Sequence, residues 1–221
     1  MLQDRFFRQA KREGYAARSA YKLLEINERR RVIAAGDAVL DLGCAPGSWL
    51  QVASELVGDG GIVVGLDLQR VEVPIPANAR AFEGDLREID PEILLAPIRE
   101  RGEGEVRTPR PDRLFDTVVS DMAPATTGHG DDLRSTHLCR DVLGVCPALL
   151  KPRGNLVMKV LEGAEYPDLL GECRGWFNRV GAIKPRASRD ISRETYVVAQ
   201  AFWPGGKPRG DRPSTNSEGR K

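Results

Sequence analysis

The chain has 221 residues, 41% of them hydrophobic and 29% charged, which is enough apolar material for one good core and too much for a disordered protein. No apolar run approaches the roughly 18 residues a bilayer span needs, and Met1 to Arg18 is basic and interrupted, so membrane and secreted classes are set aside and a cytoplasmic location is expected. Four cysteines without a Cys-x-x-Cys, and two histidines (His129, His137) outside any zinc spacing, give no reason to expect a metal or a disulfide framework.

The first segment, residues 1–31, mixes Arg and Lys with Phe6, Phe7 and Tyr15 and reads as a basic arm or short helix. Ser19 is positioned to N-cap a helix from Ala20 to about Arg30, on which Ala20, Leu23, Leu24 and Asn27 share a face and Lys22 lies beside it. After the turn at Gly36-Asp37, a short apolar run ends at Asp41. Gly43, Ala45 and Gly47 follow, and a helical pattern opens at Ser48. This is a buried strand passing through a small-residue loop into a helix, an arrangement that lets a ligand approach backbone closely. The dinucleotide fingerprint is absent, because Cys44 and Ala45 follow Gly43, and no Gly-Lys-Ser/Thr closes a Walker loop.

Gly61 to Asp67 is the second strand and ends in another carboxylate. Ligands sit off the carboxyl ends of parallel strands, so Asp67 is placed to accept ribose hydroxyls; otherwise it is a turn residue. Ala79 to Phe82 is a short third strand, followed by Asp85, which is either an acceptor for an adenine amino group or a helix N-terminal acid. Residues 97–111 are Gly/Pro-rich and polar and are expected to form a surface loop. Asp116 to Ser120 is the fourth strand and delivers Asp121 to the same edge. A helix from about Leu133 to Leu150 crosses back, with Pro147 expected to bend or stop it. Lys151-Pro-Arg-Gly154 turns into strand five, Asn155 to Leu161. Then follow a helix from Tyr166 to Phe177, a strand at Ala182-Ile-Lys and a last strand from Thr195 to Phe202. From Pro204 the tail is Gly, Pro and Arg-rich and is expected to be disordered. The division expected is a basic arm and helix (1–31), one domain (32–203) and a tail (204–221). Alternating strands and helices make an α/β fold with a parallel sheet covered on both faces.

The formal net charge of +1 conceals an uneven distribution. Residues 1–31 carry nine Lys/Arg against four Asp/Glu, 174–193 six against one, and 204–221 five against two, while 32–173 hold 13 against 24. Basic outer segments around an acidic body suit a phosphate-tracking surface if they meet in space, and equally suit scattered solvated charge. Lys159 stands inside an apolar strand, where it either faces solvent or points into a cleft and needs a partner such as Asp121. Glu194 opens the last strand after a basic run.

The pattern Asp-x-Gly-x-x-x-Gly at Asp41 resembles motif I of S-adenosylmethionine (SAM) methyltransferases. Five blocks in order, Arg18-Ser-Ala-Tyr-Lys-Leu-Leu-Glu-Ile26, Asp41-Leu-Gly-Cys-Ala-Pro-Gly-Ser-Trp49, Val119-Ser-Asp-Met-Ala-Pro124, Met158-Lys-Val160 and Ser192-Arg-Glu-Thr-Tyr196, resemble the FtsJ/RlmE family of RNA ribose 2′-O-methyltransferases over about residues 4–203. The resemblance implies a Rossmann-like class I methyltransferase fold, with a mostly parallel seven-stranded sheet whose last strand is antiparallel. It implies a catalytic tetrad at Lys22, Asp121, Lys159 and Glu194, and SAM contacts at Gly43, Gly47, Trp49, Asp67, Asp85 and Asp121. It further implies methylation of an A-loop uridine of 23S rRNA in the assembled large subunit. A monomer without a metal is expected. Ser48 departs from the family's commoner second Gly. The competing readings are a 2′-O-methyltransferase of tRNA or an mRNA cap, and a non-catalytic ribosome-assembly protein that binds RNA.

A ribose hydroxyl is a poor nucleophile near neutrality, so catalysis is positioning plus removal of one proton. Lys159 either takes that proton or stays charged and orients the hydroxyl. Trp49 lines the cofactor site or anchors the core. Tyr21 and Tyr196 stack on a splayed base or pack the sheet. Arg18, Arg186, Arg189 and Arg193 are the expected phosphate contacts.

Overall fold

The computed structural model describes residues 2–100, 112–125, 130–188 and 193–206, with side chains from Arg5 onward. Helices α1 (Leu2–Glu13) and α2 (Ala20–Arg30) precede strand β1 (Ala38–Leu42). Then come α3 (Ser48–Val57), β2 (Ile62–Asp67), β3 (Ala79–Glu83), α4 (Pro91–Glu100), β4 (Phe115–Ser120) and α5 (Asp131–Leu149). The chain continues through β5 (Leu150–Leu161), α6 (Tyr166–Trp176), β6 (Phe177–Ile183) and β7 (Glu194–Phe202).

The strands form one seven-stranded sheet in the order β3-β2-β1-β4-β5-β7-β6. The pairs β1–β2, β1–β4, β2–β3 and β4–β5 are parallel, and β7 runs antiparallel to both β5 and β6. The expected Rossmann-like sheet with a reversed last strand is what the chain forms. Its strands are apolar on both faces because helices cover both: β1 is buried at every position. One face holds Leu40, Val118, Met158 and Val197 with α4, α5 and α6; the other holds Val39, Val119, Val157 and Val198 with α2 and α3. The strand order reverses between β1 and β4, and a crevice opens there off the carboxyl ends.

Several local expectations are corrected. Ser19 precedes α2 without a side-chain cap bond, because its hydroxyl pairs with the Ser48 hydroxyl at 2.7 Å instead. The buried face of α2 is Ala20, Lys22, Leu23 and Ile26, so Lys22 is inside rather than beside the packed face. This packing also ties α2 into the main core. α4 was not anticipated, and it takes up residues 97–100 of the expected loop. Its stripe of Leu94, Leu95 and Ile98 outweighs Pro97. α5 continues two residues beyond Pro147. β5 begins at Leu150, and the expected turn is an irregularity in its register opposite Phe115 and Thr117. β6 starts at Phe177 rather than Ala182. The rest of the expected loop (101–111) and the tail from 207 lie outside the described residues.

Candidate active site and cofactor cleft

The loop after β1 turns tightly because two glycines permit it. Gly43 has φ +78°, and a Cβ there would stand 2.5 Å from Met122 Cγ. Gly47 has φ +116°, and its Cβ would stand 2.7 Å from Val73. Both positions are in the left-handed region and close-packed, so each needs glycine for two reasons. Asp67 at the end of β2 fastens the loop from the side: its carboxylate accepts the Ala45 N–H at 2.9 Å and the Gln69 N–H at 2.8 Å. Beside this loop lies a cleft of about 310 Å³ lined by Gly43, Ala45, Asp67, Asp85, Asp121 and Met122 among others, with Leu68 at its rim. Leu68 is 68% exposed, an apolar side chain left uncovered at the cleft. Carboxylate acceptors on apolar walls are complementary to a ligand that is part hydrophobic and carries hydroxyl and amino donors.

The cleft meets a buried charged network through Asp121. The β4–β5 register pairs Ser120 with Met158, so Asp121, one residue past β4, arrives beside Lys159. Lys159 Nζ stands 3.0 Å from Asp121 Oδ1 and also donates to the Asp121 carbonyl oxygen. Tyr196 is the cross-strand partner of Lys159 and donates its hydroxyl to the same Asp121 Oδ1 at 2.6 Å. Lys22 reaches from α2 to Glu194 Oε1 at 2.7 Å, and Ser188 donates to that oxygen at 2.8 Å. Lys22 Nζ also lies 5.6 Å from the centre of the Tyr196 ring, over which a cation is attracted. Lys22, Asp121, Lys159 and Glu194 therefore form two adjacent ion pairs bridged by one tyrosine, all on the sheet face that α2 covers.

Three groups in this neighbourhood titrate away from their ordinary values. Burial raises Glu194, but the charge of Lys22, hydrogen bonds from Lys22 and Ser188, and the charge of Lys159 outweigh it, leaving the carboxyl below its usual value. Tyr196 is raised well above the usual phenol by burial, then by Asp121 and Glu194, so its proton stays on oxygen. Asp41 is fully buried, and neither of its carboxylate oxygens has a hydrogen-bond partner among the described residues. Burial, then the charges of Asp121 and Asp67, push it well above the carboxylate range.

Of the residues expected at the cofactor, Gly43, Asp67, Asp85 and Asp121 line the cleft. Gly47 and Trp49 do not. Gly47 packs on Val71 and Val73, and Trp49 is 2% exposed, its ring tilted against that of Tyr196 at 5.6 Å between centres, with its indole N–H donating to the Ser19 carbonyl. Trp49 is the core anchor of its two readings. Tyr196 has no exposed surface, so it cannot offer a face to a base and the sheet-packing reading holds. Tyr21 remains partly open beside a second groove, of about 850 Å³, with Phe6, Arg29 and Arg186. Arg186 and Arg193 are exposed and Arg18 is half-buried; Arg189 lies outside the described residues. Sequence reasoning missed Arg87, Met122, Leu138 and Asp141 in the cleft wall and Ser188 on Glu194. Arg87 and Ser188 sit in loops, where no periodicity announces a contact. Among the described residues no group of three or more His, Cys, Asp or Glu is arranged to hold a metal, and no helix is long and apolar enough to cross a membrane.

The FtsJ-like methyltransferase family model matches residues 15–202. A protein of Desulfosudis oleivorans named ribosomal RNA large subunit methyltransferase E is 41% identical over 197 residues, 88% of each chain. Proteins with the same name from Syntrophobacter fumaroxidans (41% over 199 residues, 89% of this chain and 94% of that one) and Methanothermobacter thermautotrophicus (40% over 201, 90% of each) are similar. A crystal structure of a putative ribosomal RNA methyltransferase from Plasmodium falciparum superposes with a TM-score of 0.72 at 26% identity, covering 85% of this chain and 98% of that one. The fold, the motif order and these likenesses agree: the chain belongs to the FtsJ-like methyltransferase family.

Proposed function

We propose that this methyltransferase moves a methyl group from SAM to a ribose 2′-hydroxyl of large-subunit rRNA, a uridine of the 23S A-loop in the assembled subunit. The observation that carries the reading is the double placement of Asp121, which lines the cleft and holds Lys159 on its other side. Names shared by relatives near 40% identity point to the large-subunit RNA as substrate. SAM, when bound, supplies a methyl on a positively charged sulfur, open to in-line attack.

The residues that would hold SAM are Asp67 for ribose hydroxyls and Asp85 for the adenine amino group, with Gly43 giving close backbone approach. Asp121 occupies two of the three tetrahedral positions of Lys159 Nζ, one with its carbonyl and one with its carboxylate. The third is left for the substrate. There an ammonium donates to the 2′-oxygen and orients it, while a neutral amine accepts its proton. Lys22 is tied to Glu194 and Ser188 and adds positive charge behind the developing alkoxide. Basic side chains at Arg18, Arg186, Arg189 and Arg193 are proposed to hold phosphates. Tyr21 at the second groove is proposed to stack a flanking base.

The test is methyl transfer from labelled SAM to purified large subunits, free 23S rRNA and bulk tRNA, followed by alkaline hydrolysis. Label in an alkali-resistant dinucleotide of the large-subunit RNA is expected. Label on a base, or on tRNA alone, overturns the reading.

A further inference from the structure

Asp85 is gripped by one neighbour. Its Oδ1 accepts the Arg87 backbone N–H at 2.9 Å and Arg87 Nε at 3.0 Å, and its Oδ2 accepts Arg87 Nη2 at 2.6 Å. The backbone bond closes an Asx turn that anchors Oδ1, and the planar two-pronged grip of the guanidinium fixes the carboxylate plane. An ionised carboxylate offers about four acceptor positions. Arg87 fills three and leaves one, on Oδ2. The Arg87 side chain is 65% exposed, and exposed ion pairs contribute little to folding. Both residues line the cleft, which gives the pair a place to act.

From this geometry we infer that Arg87 is a positioning residue for the nucleobase specificity of the cleft, aiming the one open lone pair of the Asp85 carboxylate so that it takes a 6-amino purine and rejects a 6-oxo purine. The inference rests on the SAM reading above and deepens it. An amino group donates into the one open lone pair. The oxygen of a 6-oxo purine would set lone pair against lone pair. Asp85 does not escape that conflict by donating, because its carboxyl, held down at about 2 by hydrogen bonds from Arg87, is ionised at neutral pH. Without the guanidinium the carboxylate, ionised at neutral pH either way, can pivot about the one remaining backbone bond to Oδ1, its open lone pair leaves the base, and the distinction fades.

The experiment measures dissociation constants of S-adenosyl-L-homocysteine and S-inosyl-L-homocysteine by calorimetry for the wild-type chain, Arg87→Gln and Arg87→Lys, with KM and kcat for SAM alongside. The wild-type chain is expected to prefer the adenosyl ligand by at least about 30-fold, the scale of a hydrogen bond to a charged group. Arg87→Gln should weaken the adenosyl ligand about tenfold, bring the preference below about fivefold, and place the kinetic loss on KM rather than kcat. Arg87→Lys, a point charge without the planar fork, should fall between the two. Equal weakening of both ligands with the ratio preserved would mean a purely structural role and would overturn the inference. So would tighter adenosyl binding by Arg87→Gln, which would show Arg87 competing with the base for Asp85. If the wild-type chain binds neither ligand, the SAM reading itself fails and takes the inference with it. That failure is distinguishable because it appears without any substitution.

Discussion

Tyr196 lies directly across the β5–β7 ladder from Lys159, and both side chains end on the same oxygen of Asp121. The tyrosine is fully buried, wedged against Trp49, with the Lys22 ammonium over its ring. It is therefore the piece that fixes the spacing of the two ion pairs. Tyr196→Phe keeps the ring and deletes one hydrogen bond to a charged group, worth about 1.5–3 kcal/mol. The expected outcome is a fall in kcat of about tenfold or more with SAM affinity little changed, read by steady-state kinetics and calorimetry. A wild-type kcat in Tyr196→Phe would mean that Asp121 keeps its position without the phenol.

Lys159 can be separated into a structural and a chemical part. Lys159→Met leaves Asp121 as a partly buried carboxylate held, among the described residues, by Tyr196, and breaking such a pair costs on the order of 3 kcal/mol. Lys159→Met combined with Asp121→Asn removes both charges and should recover most of that stability, measured by denaturant unfolding. Methyl transfer should be absent from both proteins. Activity returning along with stability in the double variant would remove Lys159 from the chemistry.

How much of this was readable from the chain depends on how local the cause is. β1, its loop and α3 were legible because an apolar run, two glycines and a helical pattern sit within a dozen residues of one another. Asp121 beside Lys159 was legible because successive residues at the ends of adjacent parallel strands must be neighbours. Tyr196 and Trp49 were open between two roles. Aromatic side chains serve cores and ligand sites alike, and only the closed space between α3 and β7 decides it. The buried position of Lys22 was hidden because helix periodicity marks apolar faces, and a paired lysine occupies such a face without any apolar signature. α4 was hidden by its prolines, whose local cost is outweighed by packing onto the sheet.

Gly43 makes a prediction about the cleft alone. A methyl group at this position meets Met122 Cγ at 2.5 Å and the Met122 backbone at 3.1 Å, on a backbone that L-residues rarely adopt. Met122 follows Asp121 and lines the same cleft. Gly43→Ala must move either the loop or Met122, and SAM affinity should fall by about tenfold or more, in line with a strain of about 1–2 kcal/mol. Calorimetry on a variant shown to be folded by circular dichroism checks it. Unchanged affinity would mean that the loop does not approach the cofactor.

Asp41 predicts a pH dependence of stability. Its folded value is raised above the unfolded one by burial and by Asp121 and Asp67. Below about pH 4, the ordinary carboxylate value, both states carry the proton and the site costs nothing. As pH rises, the unfolded chain ionises while the buried carboxyl keeps its proton. Stability is then lost at up to about 1.4 kcal/mol per pH unit until the raised value is reached. Asp41→Asn has no proton to lose. Its melting temperature relative to the wild-type chain should therefore climb between pH 4 and pH 8 in ligand-free protein. A difference that stays flat across that range would mean that Asp41 is ionised and partnered.

The basic side chains predict a salt dependence. Arg18, Arg186 and Arg193 come from the segment before α2 and the loop before β7, which flank the site from opposite ends of the sequence. Each phosphate contact on single-stranded RNA adds about 0.7 to the slope of log affinity against log salt. Replacing all three by Gln should reduce the slope for an A-loop fragment by about 2, measured by fluorescence anisotropy, and leave SAM affinity unchanged. These residues lie outside the cleft wall, so a parallel loss of SAM binding would point to a folding defect rather than to lost phosphate contacts. An unchanged slope with weakened RNA binding would mean that they meet the substrate through bases or ribose rather than phosphates. The basic surface would then have to be sought on α1, where Lys11 and Arg12 close the helix.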